Sequence, residues 1–289
     1  IMACINEGDE VIYPNPGFPI YESVANFVGA TPVPLALREE RDFRLDVQEL
    51  RDKLTDRTRM VILNSPQNPT GSMLTREDVE QIADAVRGRN LVVLTDEVYS
   101  QMSYGPEHVS IYSMPGLADQ TILLDGFSKT YAMTGWRLGY GVMPKELAAR
   151  VARLQTNSNS CTASFVQMAG VAALNGPQDA VGDMMAEFAR RRQIIVEGLN
   201  AIPGVSCRPP AGAFYAFANV KGVGMPTAQY ADYLLNEAGV AVLSGSSFGV
   251  YGDGYVRLSY ANSVENLKEA LRRMTEATRA LRGTAGLRG

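Results

Sequence analysis

Residues 59–97 read RMVILNSPQNPTGSMLTREDVEQIADAVRGRNLVVLTDE, two almost wholly apolar runs flanking a charged one. The runs Arg59–Pro66 and Asn90–Glu97 are short, β-branched and bounded by turn residues, which predicts strands buried on both faces. Between them, Thr75–Arg87 has the apolar spacing of an amphipathic helix. The same alternation extends outward in both directions. Strands are predicted at Asp9–Pro14, Thr31–Leu37, Thr121–Gly126 and Arg137–Pro144, and helices at Pro19–Gly29, Asp46–Leu54 and Pro144–Thr156. The pattern predicts an α/β fold with a mainly parallel sheet covered by helices. Ligands of such sheets bind outside the carboxyl ends of the strands. Polar residues gather at those ends: Asn64 and Asn68, Asp96 and Tyr99, Ser128 and Lys129.

After Asp179 the pattern changes. Asp179–Ile202 reads as one long helix, with Arg190–Arg192 on its solvated face. The strand-like segments VSCRPP, GAFYAFANV, VAVLSG and YVRLSYA follow, with helices at Pro226–Ala238 and Val264–Leu281. This predicts a smaller α+β domain, with residues 1–180 forming the large domain and 181–289 the small one. The Gly-rich tail RGTAGLRG is expected to be disordered. At the other end, Ile1–Ile5 reads as the last turn of a helix, so the sequence is expected to lack an N-terminal segment of a longer protein.

A chain of 289 residues, 46% hydrophobic, suffices for a sizeable core. Its net charge of −4 gives no basic field for nucleic acid. No apolar run approaches the roughly 20 residues needed to cross a bilayer. Cys4, Cys161 and Cys207 stand apart without a CxxC pair, which fits a reducing cytoplasm. His108 is the only histidine, which excludes His-based triads and disfavours a histidine-ligated metal.

The chemistry concentrates in GFSKTYAMTGWRLGYG, Gly126–Gly141, whose only charged side chains are Lys129 and Arg137. Lys129 fits a loop lysine with a buried stem, and equally an amine kept neutral by burial near Arg137, able to attack a carbonyl. Asp96, at the end of VVLTD, fits a helix N-cap or the buried partner of a protonated ring nitrogen. Glu97 alternates to the opposite side and reads as structural. Tyr99 can set its phenol against a ring oxygen, and Asn68 in NSPQNPTG can donate to one. Phe18 in PNPGFPIY belongs to the core or offers a flat face to an aromatic ring. In YVRLSYA, period-2 alternation puts Tyr255, Arg257 and Ser259 on one face and Val256, Leu258 and Tyr260 on the other. Arg257 there needs an anionic partner, whether a structural carboxylate or a ligand.

NPTG, TDEVY, SKTYAMTGWRLGY and VRLSYA, in that order, resemble the class I/II aminotransferases, fold-type I enzymes that use pyridoxal 5'-phosphate. The likeness covers nearly the whole chain, which resembles such a protein without its N-terminal segment. It implies a seven-stranded type of large-domain sheet, a homodimer, and transfer of an amino group between an amino acid and a 2-oxo acid. It also implies site roles. Lys129 forms the internal aldimine and shuttles the proton. Asp96 pairs with the pyridine nitrogen, and Asn68 and Tyr99 hold the phenolic oxygen. Phe18 stacks on the ring, Ser128 and Arg137 grip the phosphate, and Arg257 takes the substrate α-carboxylate, with Asn68 bordering the substrate.

The chain departs from the family pattern in lacking the upstream glycine-containing phosphate loop and the N-terminal segment. No Lys or Arg occurs between Arg153 and Arg190, which disfavours a dicarboxylate clamp from that region. Phe214 or Tyr215 in PAGAFYAF would favour apolar or aromatic substrates. Two alternatives remain open at this level: a lyase or synthase on the same scaffold, and the effector domain of an aminotransferase-like transcription regulator.

Overall fold

A computed structural model describes residues 1–285. Strand and helix alternate as β1 (Glu10–Asn15), α1 (Ile20–Phe27), β2 (Thr31–Ala36), α2 (Val47–Lys53), β3 (Thr58–Asn64), α3 (Arg76–Val86), β4 (Val92–Asp96) and β5 (Thr121–Gly126). The short α4 (Phe127–Thr130), β6 (Gly139–Val142), α5 (Lys145–Ser158), α6 (Ser164–Asn175) and α7 (Asp179–Asn200) follow. The strands assemble in the order β2-β1-β3-β4-β5-β6. β1 to β5 pair in parallel, and β6 runs antiparallel to β5.

The sheet is covered on both faces because its strands are apolar on both. On β3, Val61 and Leu63 join Ile12, Leu35, Ile82 and Val93 on one side. Met60 and Ile62 join Val11, Tyr13, Tyr21 and Leu94 on the other. Local chemistry fixes the helix starts. Thr75 accepts from the Asp78 amide at 3.1 Å while Asp78 accepts from the Thr75 amide at 2.9 Å, a reciprocal cap on α3. Asp46 caps α2 by accepting from the Gln48 amide at 2.9 Å.

The second unit pairs β7 (Ser206–Cys207), β8 (Tyr215–Asn219), β9 (Leu243–Ser244) and β10 (Tyr255–Ser259) in the order β7-β8-β10-β9, all antiparallel. α8 (Thr227–Ala238) and α9 (Val264–Ala285) complete it. Val256, Leu258 and Tyr260 enter its core with Ile195, Leu199, Leu234 and Met274. Tyr255 points the other way, toward Phe43 and Phe217 in the large-sheet core, as the alternation predicts.

The large sheet is of the expected mainly parallel kind and has six strands among the described residues. Several expectations are corrected. The predicted strand Arg137–Pro144 shrinks to β6, since Arg137 adopts φ 55° and ψ 51°, a left-handed conformation that ends an extended run. VAVLSG pairs only over Leu243–Ser244. α6 has no counterpart in the sequence reading: Phe165, Met168, Val171 and Leu174 are exposed on it, so its apolar residues do not mark one buried face. Ile1–Ile5 forms a turn closed by the Cys4 and Ile5 amides on the Ile1 carbonyl, at 2.9 and 3.1 Å. The tail expected to be disordered begins inside α9, which continues to Ala285; residues 286–289 lie outside the described residues. Residue 180 falls in the first turn of α7. Among the described residues no helix is long and apolar enough to cross a membrane, and no cluster suits a metal ion.

Candidate active site

β1 and β3 are neighbours, yet the chain between them travels outward to β2 and back. That reversal opens a crevice at the carboxyl ends of the strands. Three loops and one edge of the small sheet converge there. The Gly17 amide donates to the Phe248 carbonyl at 2.8 Å. Gln67 Nε2 donates to the Pro16 carbonyl at 2.8 Å. Asn64, the last residue of β3, sits level with Asp96 in the parallel register. Its Nδ2 donates to the Asp96 carbonyl at 3.0 Å, and its Oδ1 accepts from the Asn68 amide at 3.0 Å.

Asp96 ends β4 with its carboxylate turned into the site. Tyr21 on α1 donates to Oδ2 at 2.6 Å, and the Val98 amide donates to Oδ1 at 3.3 Å. Burial pushes the Asp96 carboxyl up from its ordinary value; the bonds from Tyr21 and Val98 oppose this, and neighbouring Glu97 adds to it. No cation contributes. The N-cap alternative fails, because a turn rather than a helix follows β4. Glu97 faces away, buried, accepting from Ser110 at 2.6 Å and Thr95 at 3.0 Å, with His108 Nε2 at 2.9 Å. These partners satisfy a buried carboxylate and give it a structural role.

Lys129 projects from α4 between two rings. Its Nζ lies 5.6 Å from the centroid of Tyr99 and 5.2 Å from that of Phe214. Burial lowers its pKa, and the charges of Arg257 and then Arg137 lower it further. The Arg137 effect is the one the sequence predicts; that of Arg257 comes from the fold. Ser128 is half-buried beside it. Arg137 is exposed, its Nη1 donating to the Thr134 carbonyl at 2.8 Å. A cleft of about 710 Å³ opens alongside, lined by Gly139, Tyr140, Gln155 and Asn159.

Arg257, on β10, reaches across from the small sheet. Its Nη1 donates to Asn68 Oδ1 at 2.8 Å. The guanidinium carbon is 4.4 Å from the Tyr215 ring centroid and 4.7 Å from that of Phe248. Its Nε is buried without a partner. A flat cation held by its faces keeps its edge for a flat anion. Among the described residues no carboxylate takes that edge; burial lowers the Arg257 pKa, with only tyrosines opposing. The bond from Arg257 to Asn68 Oδ1 leaves the amide's Nδ2 as a donor. Tyr99 is buried, and its hydroxyl lies 2.8 Å from that of Tyr215. Phe18 is 42% exposed, with its ring edge-on to Tyr21, so it is not a core residue.

The fold therefore gathers Asn68, Asp96, Tyr99, Lys129 and Arg257, while Phe18 and Arg137 lie at the open margin. The sequence does not mark Tyr21 or Phe248, and it marks Tyr215 only as a pocket wall. Tyr21 had one available signal: a polar tip on the buried face of α1, three residues after Phe18.

An amine with lowered basicity, a buried carboxylate and an arginine whose Nε has no partner among the described residues thus meet at the strand ends of an α/β sheet, a set suited to a group-transfer enzyme acting on small anionic substrates. The family described as "Aminotransferase class I and II" matches residues 1–274, and the chain belongs to it. It is 40% identical over 282 residues to the aspartate aminotransferase of Pyrococcus abyssi, covering 96% of this chain and 72% of that one. It is 40% identical to the aromatic-amino-acid aminotransferase 2 of Thermococcus litoralis, covering 93% and 70%. The crystal structure of an aromatic aminotransferase from Pyrococcus horikoshii superposes with a TM-score of 0.93 at 41% identity, covering 98% of this chain and 76% of that one. The chain is an aminotransferase.

Proposed function

We propose that this aminotransferase uses pyridoxal 5'-phosphate, with Lys129 as its covalent anchor. The observation that carries the reading is Lys129: its pKa is lowered by burial and by two arginines, and it lies between the Tyr99 and Phe214 rings. The donor set fits the cofactor. Among the described residues Asp96 has no cationic partner, as the counter-ion of a ring N–H would not, and the orphaned Arg257 Nε suits a carboxylate. When bound, the cofactor supplies the electron sink that stabilises negative charge at the substrate α-carbon.

The chain's residues would orient and protonate. Asp96 holds the proton on the pyridine nitrogen, and Tyr99 with Asn68 Nδ2 donates to the phenolic oxygen. Phe18 stacks on the ring face, and Ser128 and Arg137 hold the phosphate. Arg257 grips the α-carboxylate by its free edge, presenting the α-hydrogen to Lys129. Once its amine is free, Lys129 takes the proton from the α-carbon and returns it, unprotonated at neutral pH to the extent its pKa is lowered. Residues 1–180 are read as the cofactor-binding domain and 181–289 as the small one.

For substrates we read aromatic or aliphatic amino acids and their 2-oxo acids. The support is the ring cluster at the site, with Phe214 stacked on Phe188 at 5.6 Å and tilted against Tyr215 at 4.7 Å. The reading includes a cytoplasmic homodimer, supported by three free thiols and the exposed apolar residues of α6.

The test is spectroscopic. Cofactor-loaded protein should show a visible band that Lys129→Ala removes and that an amino acid alone converts. A loaded protein without the band ends the reading. A donor screen against 2-oxoglutarate then ranks substrates, and preference for aspartate over phenylalanine would overturn the substrate class.

A further inference from the structure

Tyr215, from β8, does more than wall the pocket. Its hydroxyl meets that of Tyr99 at 2.8 Å in a buried contact, the two rings edge-to-face with centroids 5.8 Å apart. Its ring face carries the Arg257 guanidinium carbon at 4.4 Å. The small sheet thus places one phenol between an arginine and a large-sheet phenol beside Lys129.

A hydroxyl has one proton and two acceptor positions. In a pair of neutral phenols, one donates and the other accepts. If Tyr99 donated to Tyr215, its only proton would be spent and it would have none for the cleft. If Tyr215 donates to Tyr99, the Tyr99 proton stays free to point at a ligand oxygen. The cation over Tyr215 draws electron density from that ring, which makes Tyr215 the better donor. Burial keeps the Tyr99 phenol protonated, raising its pKa well above the ordinary value.

We infer that Tyr215 is a positioning residue whose hydroxyl, donating to Tyr99, aims the Tyr99 proton at the cofactor's phenolic oxygen. The inference rests on the cofactor reading above and adds a residue to it. Donation to an anionic oxygen stabilises the state that has lost the neighbouring imine proton. Weakening that donation therefore makes the proton harder to remove. Tyr215 acts through Tyr99, so its effect should vanish when the Tyr99 hydroxyl is absent.

The experiment is a spectrophotometric pH titration of the visible band in cofactor-loaded wild type, Tyr215→Phe, Tyr99→Phe and the double variant. Tyr215→Phe should raise the midpoint by about half a pH unit. Tyr99→Phe should raise it more, and adding Tyr215→Phe to it should change nothing further. Incorporating 3-fluorotyrosine at position 215, which keeps the hydroxyl and makes it a stronger donor, should lower the midpoint. An unmoved midpoint in Tyr215→Phe, even with a lower melting temperature, overturns the inference, as does a shift undiminished in the Tyr99→Phe background. Failure of the underlying reading looks different: the wild type has no band, or the band survives Lys129→Ala, and the inference falls with it.

Discussion

Tyr21 and Asp96, 75 residues apart in the chain, meet with the tyrosine hydroxyl 2.6 Å from the carboxylate. α1 packs on the sheet face opposite α3, and this contact brings its polar tip to the end of β4. The bond holds the carboxylate in place and favours its ionised form against burial.

Tyr21→Phe removes that support. The Asp96 carboxyl, already raised by burial, should rise further, so the ionised form is lost at a higher pH. The acid limb of the kcat/KM profile should move up, and cofactor affinity at pH 8 should fall about tenfold, as for loss of a hydrogen bond to a charged group. Equilibrium cofactor titration at several pH values measures both.

Lys129 makes the cofactor-free protein's stability pH-dependent. The unfolded chain keeps this proton up to the ordinary lysine value of 10.5, whereas the folded chain releases it earlier. Between the two pKa values the unfolded state binds more protons, so stability rises with pH through that window. Urea denaturation at a series of pH values should show the rise, and Lys129→Met should flatten it.

Arg257→Lys keeps the charge but loses the flat, two-toothed edge between Tyr215 and Phe248. The expected result is a ten- to hundred-fold drop in kcat/KM, about the worth of a charge-assisted bond, carried mainly by the amino acid KM. An unchanged KM would remove Arg257 from carboxylate binding.

Gly71→Ala tests the loop that presents Asn68. Gly71 has φ +71°, and a Cβ there would lie 2.4 Å from Pro210 Cβ. Its carbonyl also accepts from the Ala211 and Gly212 amides at 2.8 and 2.9 Å, tying the loop to the segment before β8. Left-handed strain and overpacking together should cost about 2 kcal/mol or more. Thermal unfolding should register this as a fall of several degrees.

The fold class was readable because its code is local. β3 and β4 are apolar on both faces, and α3 carries its spacing and cap within a dozen residues. Lys129, Asp96 and Asn68 were readable because each lies at or just past a strand end, in a short motif. α6 was not, since its apolar residues mark no single buried face. Arg137 was found as a residue, but its left-handed backbone, which shortens β6, was not.

By itself, then, the sequence determined the alternation of strands and helices, the family resemblance and the reactive groups proposed here. Only the tertiary structure decided which groups meet: Tyr21 with Asp96, Asn68 with Arg257, and Tyr99 with Tyr215, at sequence separations of 75, 189 and 116. Strand periodicity says which face a side chain takes. The order of strands and the packing of one sheet on the other set which distant face lies opposite, and those depend on burial summed over the whole chain.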